Sequence, residues 1–109
     1  PGITTYDIEI KSDLLMKKYR AVPGFKGYRG YPANLCVSVN EEVVHGIPSK
    51  EKVLKEGDIV SLDIGTIYNG FYGDCANTFT VGDVKECYKN LIEITRQAFE
   101  IGRENALPG

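Results

Sequence analysis

DIVSLDIGTIYNGFYGDCANTF, residues Asp58 to Phe79, reads as two strands joined by a two-residue turn, Asn69-Gly70. Asn-Gly between alternating apolar residues is a strong hairpin signal, because both central positions of a type I′ turn need a positive φ. The turn sets the register. With Tyr68 opposite Phe71, Gly65 lies opposite Asp74 and Asp63 opposite Ala76. Asp63 and Asp74 then share one face of the ribbon as diagonal neighbours, their Cβ atoms within roughly 7–8 Å. Like charges at that range raise each other's pKa. A hard divalent cation held between the carboxylates removes the conflict; so does solvation of one of them at a strand end. The hairpin geometry leaves both readings open.

Outward from the hairpin the chain falls into short, well-punctuated pieces. Thr4 with Asp7 makes a capping-box-like start for a first helix running to about Tyr19 or Arg20, with Pro23 ending it. Its apolar positions Ile8, Leu15 and Tyr19, with Ile10 and Leu14 beside them, fit helical spacing loosely. Val22 to Pro32 is a Gly, Pro and aromatic loop whose rings Phe25, Tyr28 and Tyr31 recur every three residues. Such rings either cap a core or line a pocket. Leu35 to Val39 is a strand, Asn40-Glu41 begins a turn, and Val43-Val44 continue into a second short strand ending at His45-Gly46-Ile47-Pro48. Ser49 to Gly57 is a charged, solvated connection. Asp83, with Glu86, caps a long helix whose stripe is Val84, Cys87, Leu91, Ile94, Ala98 and Ile101, stopped by Pro108-Gly109. The fold class is α+β: an antiparallel sheet with two main helices on one face.

Bulk properties narrow the function classes. A chain of 109 residues makes one small domain. A net charge of -2 with no basic block argues against a nucleic-acid partner held through phosphates. No apolar run approaches the roughly 18 residues that span a bilayer, and no signal peptide is visible. Cys36, Cys75 and Cys87 are odd in number and widely spaced, which fits neither a disulfide framework nor a CxxC zinc site; reduced thiols in a cytoplasmic protein are expected. Cys36 reads as a small buried hydrophobe, and Cys75 as packing on the ribbon face opposite Asp74. His45, the lone histidine, sits behind a rigid Gly-Ile-Pro turn as either a site residue or an exposed loop histidine. GFKGYRG lacks the helix start that a phosphate-binding loop needs.

Three stretches together, FKGYRGYP (Phe25–Pro32), VSVNEEVVHGIPS (Val37–Ser49) and KEGDIVSLDIGTIYNGFYGDCANTF (Lys55–Phe79), closely resemble type I methionine aminopeptidases. The resemblance covers essentially the whole chain, in order and spacing. It implies the pita-bread fold, two similar α+β halves about a pseudo-two-fold axis, of which residues 1–109 form the N-terminal half as a single domain. It implies a cytoplasmic enzyme that removes the initiator methionine from nascent chains through two divalent metal ions (cobalt, manganese, iron or zinc) and an activated water. By the resemblance Asp63 and Asp74 are metal ligands. His45 contacts the scissile amide, and Tyr28, Tyr31 and Cys36 line the methionine pocket. The family's remaining ligands, one histidine and two glutamates, come from the second half, so this half alone is expected to be weak or inactive.

Two other readings stand beside that one. A half sheet exposing an edge and an apolar face fits a self-assembling homodimer in which Asp63 and Asp74 of both copies form a four-aspartate metal site. A non-catalytic peptide- or protein-binding module keeps the fold without the chemistry.

Overall fold

The long hairpin organises the protein. In a computed structural model describing residues 1–108, the elements are α1 (Thr5–Lys18), β1 (Val22–Pro23), a 3-10 turn (Tyr28–Gly30), β2 (Leu35–Val39), β3 (Ile59–Tyr68), β4 (Phe71–Thr80) and α2 (Glu86–Asn105). All pairings are antiparallel. β4 runs along one edge of β3 over its full length, from Ile59 opposite Thr80 to Tyr68 opposite Phe71. β2 and the two residues of β1 share the other edge end to end. Asn69 and Gly70 have φ of 50° and 82°, the conformation a type I′ turn requires, and the register is the one the turn dictates.

One face of the sheet carries the core. Leu35, Val37, Val39, Leu54, Val60 and Val81 form it, with Ile8, Leu62 and Ile64 packed against them. Val37 is wholly buried. Leu54 belongs to the segment expected to be a solvated connection. It is held there because Gly2 N–H donates to Leu54 O at 2.7 Å and Leu54 N–H to Ile3 O at 2.8 Å.

α1 starts as expected, with a capping box: Asp7 N–H donates to Thr4 Oγ1 at 3.1 Å and Thr4 N–H to Asp7 Oδ2 at 2.7 Å. It ends at Lys18 with Tyr19 as C-cap, close to the expected end, but Pro23 is not what stops it and lies in β1. Arg20 takes a φ of 56°, and Ala21 N–H donates to Met16 O at 2.9 Å and Arg20 N–H to Lys17 O at 3.2 Å, a Schellman stop. Nor does α1 bury its apolar stripe. The buried line is Thr5, Glu9, Ser12 and Met16, while Leu14, Leu15 and Tyr19 stay exposed. Specific hydrogen bonds draw the polar line inward. Thr5 and Ser49 bond reciprocally through Thr5 Oγ1, and Asn34 N–H donates to the Glu9 carboxylate at 3.0 and 3.1 Å.

Three further expectations are corrected. Val43 and Val44 join no strand and are exposed, because past the turn at Asn40 only Gly46 returns to the β2 edge. α2 begins at Glu86 with Lys85 as an uncapped N-cap, so Asp83 forms no capping box; its carboxylate accepts from Lys89 Nζ at 3.0 Å instead. α2 ends at Asn105; of the Pro108-Gly109 stop, Gly109 lies outside the described residues. No residue of α2 is buried; of the expected apolar stripe Val84, just ahead of the helix, is buried, and Cys87, Leu91, Ile94, Ala98 and Ile101 are exposed. The radius of gyration, 15.2 Å, exceeds the roughly 13 Å of a self-contained domain of this length.

The start of β3 carries an acid-sensitive clasp. Asp58 accepts from Asn40 Nδ2 at 2.8 Å and from Lys55 N–H at 2.7 Å, and these bonds, the Asn40 one foremost, hold its carboxyl below the usual range. A lowered folded pKa stabilises the fold above the unfolded value of about 4, and that contribution is lost as pH falls through the folded value. Asp58→Asn is therefore expected to flatten the loss of stability below about pH 4 in urea titrations; equal pH slopes for parent and variant would contradict the clasp.

Candidate metal centre

The second face of the sheet gathers the polar candidates. Asp63 on β3 has Cys36 opposite it on β2 and Ala76 opposite it on β4, and Asp74 lies opposite Gly65. Period 2 therefore puts Cys36, Asp63, Gly65 and Asp74 on one face, away from Leu62 and Ile64, which pack on the core. Cys75, opposite Ile64, lies on the other face and is exposed rather than packed.

Backbone close approaches build the walls. Gly46 abuts β2 so tightly that a Cβ there would overlap Val37 O and lie 2.9 Å from Ser38 Cα. Val37 N–H donates to Gly46 O at 2.8 Å, and Gly46 N–H donates to Ser38 Oγ at 3.1 Å. The Tyr31 hydroxyl is within 3.1 Å of both Leu35 O and Gly46 O, bridging β2 to this turn. His45, next to Gly46, takes a φ of 61°, an uncommon conformation for a residue with a side chain. Gly46 anchors the turn behind His45, which is exposed and whose charge opposes the raised Asp63 carboxyl. On the other side the Phe25 ring fills the space a Cβ on Gly65 would need, and Gly24 N–H donates to Gly65 O at 2.8 Å. A glycine inside a strand pattern signals such an approach, so Gly65 was the clue to Phe25. Nothing in the sequence pointed to Ser38 as the anchor of the turn.

The charges on this face interact. Half-burial raises the Asp63 carboxyl most, the Asp74 carboxylate raises it further, and His45 opposes both. Burial raises the Cys36 thiol first; the Tyr31 hydroxyl works against that, and the charges of Asp63 and Asp74 add to it. Tyr31 is pushed far above its ordinary value, chiefly by burial and then by Cys36. Tyr31, Cys36, His45, Asp63 and Asp74 thus occupy one electrostatic neighbourhood. Tyr28 stands outside it: the residue is 66% exposed, and its ring centroid lies 5.5 Å from the Arg29 guanidinium.

Paired carboxylates with a half-buried member suit a hard divalent cation, and none of the salt bridges among the described residues involves Asp63 or Asp74. They do not complete a site. Among the described residues no group of three or more His, Cys, Asp or Glu is placed to hold a metal. The two aspartates fit as part of a ligand set whose remainder lies elsewhere.

The sequence matches the profile of Metallopeptidase family M24 over residues 1–109, and the chain belongs to that family. It is 51% identical to the methionine aminopeptidase of Clostridium acetobutylicum over 109 residues, covering 100% of this chain and 44% of that protein. Against methionine aminopeptidase 1 of Bacillus subtilis the identity is 47%, with the same coverage. The crystal structure of methionine aminopeptidase from Thermotoga maritima superposes with a TM-score of 0.97 at 52% identity, over 100% of this chain and 44% of that one. The fold is that of the pita-bread enzymes, and the chain spans about 44% of the length of these relatives.

Proposed function

We propose that residues 1–109 are the N-terminal half, a single domain, of a cytoplasmic methionine aminopeptidase acting on nascent-chain N-termini. The diagonal pair Asp63 and Asp74 is the observation that carries this reading. Both carboxylates would hold divalent cations, two in the complete site, jointly with one histidine and two glutamates from the other half. Such cations supply Lewis acidity, polarising a carbonyl and acidifying water. His45, in the turn that Gly46 anchors, is positioned to contact the scissile amide and move a proton there. Tyr31 and Cys36 offer a soft, largely apolar wall to a methionine thioether, and Tyr28 lies at the outer end of the same loop.

The half supplies too few ligands to act alone. Its activity should appear on mixing with the C-terminal remainder of the Thermotoga maritima relative, assayed as methionine release from a Met-Ala-Ser peptide with manganese or cobalt. Neither piece alone should turn over. Robust turnover by this chain alone, or a stable mixed complex with none, would contradict the assignment.

A further inference from the structure

The turn that carries His45 is pinned through both peptide groups of Gly46. The carbonyl is held twice: Gly46 O accepts from Val37 N–H at 2.8 Å and lies 3.1 Å from the Tyr31 hydroxyl. The Gly46 N–H donates to Ser38 Oγ at 3.1 Å, a buried bond. That N–H belongs to the peptide group joining His45 to Gly46, so the Ser38 bond fixes the plane that sets ψ of His45. His45 needs such a hold. Its φ of 61° lies in the left-handed region, which a residue with a side chain keeps only when its surroundings over-determine it. With the residue exposed, the direction of the imidazole follows from the backbone that carries it.

Ser38 is itself placed by the sheet. It lies on β2 opposite Ser61 of β3, two residues beyond Cys36, which lies opposite Asp63. Period 2 puts the Ser38 side chain on the same face as Cys36 and Asp63. The residue is 4% exposed. One strand therefore carries both the registration on Asp63 and the hydroxyl that grips the histidine turn.

We propose that Ser38 is a positioning residue: through the Gly46 N–H it holds the His45 backbone in its left-handed conformation and fixes the imidazole relative to Asp63. The consequence at the scissile amide rests on the peptidase reading above; the hold on His45 does not. A hydroxyl that only satisfied a buried N–H would contribute to stability alone. One that positions His45 also sets a rate, since a misplacement of about 1 Å costs about a hundredfold.

Three variants separate the two roles: Ser38→Ala, Ser38→Thr, which keeps the acceptor, and Val81→Ala, which lowers stability from the core on the other face of the sheet. On the full chain the readouts are hydrogen exchange of the Gly46 amide and the NMR signals of the one histidine. In Ser38→Ala the Gly46 amide should exchange about tenfold faster relative to the amides of β3, and the His45 ring signals should shift. Ser38→Thr and Val81→Ala should leave both as in the parent. In the pair with the Thermotoga maritima remainder, Ser38→Ala should lower kcat by about ten- to a hundredfold with KM within about twofold. Ser38→Thr should restore kcat, and Val81→Ala should leave it unchanged. Unchanged Gly46 exchange in Ser38→Ala, or a loss of kcat matched by Val81→Ala, would overturn the proposal. An active pair whose kcat is indifferent to Ser38→Ala would overturn it with the peptidase assignment intact. An inactive parent pair would overturn that assignment, and the exchange and ring signals would still decide whether Ser38 holds His45.

Discussion

Asp63→Asn is expected to lower the metal-dependent peptidase activity of the reconstituted pair by about a thousandfold without destabilising this half. The two effects have opposite signs, and that makes the prediction specific. Metal ions supply several kcal/mol of charge stabilisation in such reactions, and about 1.4 kcal/mol corresponds to each tenfold in rate. Asparagine keeps the size of the side chain but not the charge that would hold a cation. The folded protein, by contrast, disfavours the charged form of Asp63, through half-burial first and the neighbouring Asp74 second. A carboxyl raised by the fold opposes folding at pH values above its unfolded pKa, so at neutral pH its neutralisation leaves stability equal or higher. Asp74→Asn should cause a similar loss of activity and also relieve the repulsion. The lone histidine gives a readout on this chain by itself. Manganese held by the aspartate pair should broaden the His45 ring signals in the proton NMR spectrum, and either variant should abolish the broadening. A variant that melts well below the parent, or that leaves the broadening intact, would show that the pair is a structural feature and not a cation site.

Gly46→Ala should be among the most destabilising single changes in the chain, at about 3 kcal/mol, lowering the melting temperature by about 12–20 °C. The added methyl meets backbone, not a flexible side chain: Val37 O would be overlapped, with Val37 C at 2.7 Å and Ser38 Cα at 2.9 Å. Relief requires the turn to lift off β2. That would break the Val37 N–H to Gly46 O bond, the Gly46 N–H to Ser38 Oγ bond and the Tyr31 contact together. Val37, on the strand beneath, is fully buried, so β2 has no room to retreat. The same displacement moves His45, and its resonance should shift in whatever fraction remains folded. Melting within a degree or two of the parent would mean that the turn does not lie against β2 as described.

Local rules made the hairpin legible. Asn69-Gly70 admits one tight turn, a tight turn admits one register, and the register put Asp63 and Asp74 on one face. The capping box at Thr4 and Asp7 followed the same logic, since both partners lie within one helical turn. Errors appeared where a local signal met a tertiary competitor. Asp83 could have capped α2, but Val84 is buried and Lys89 takes its carboxylate. Val43 and Val44 have strand composition, but the neighbouring Gly46, not they, holds the edge of β2.

The sequence by itself therefore determined the hairpin, its register and the acid pair, because those depend on contacts between near neighbours in the chain. Only the tertiary structure decided which face of α1 turns inward and how Phe25 and Gly46 wall the site. Each of these is settled by groups brought together from distant parts of the chain: Glu9 with Asn34, Phe25 with Gly65, Gly46 with Val37. Periodicity reports that a helix has an apolar face, and it carries no information on whether the surface that covers it belongs to the same chain.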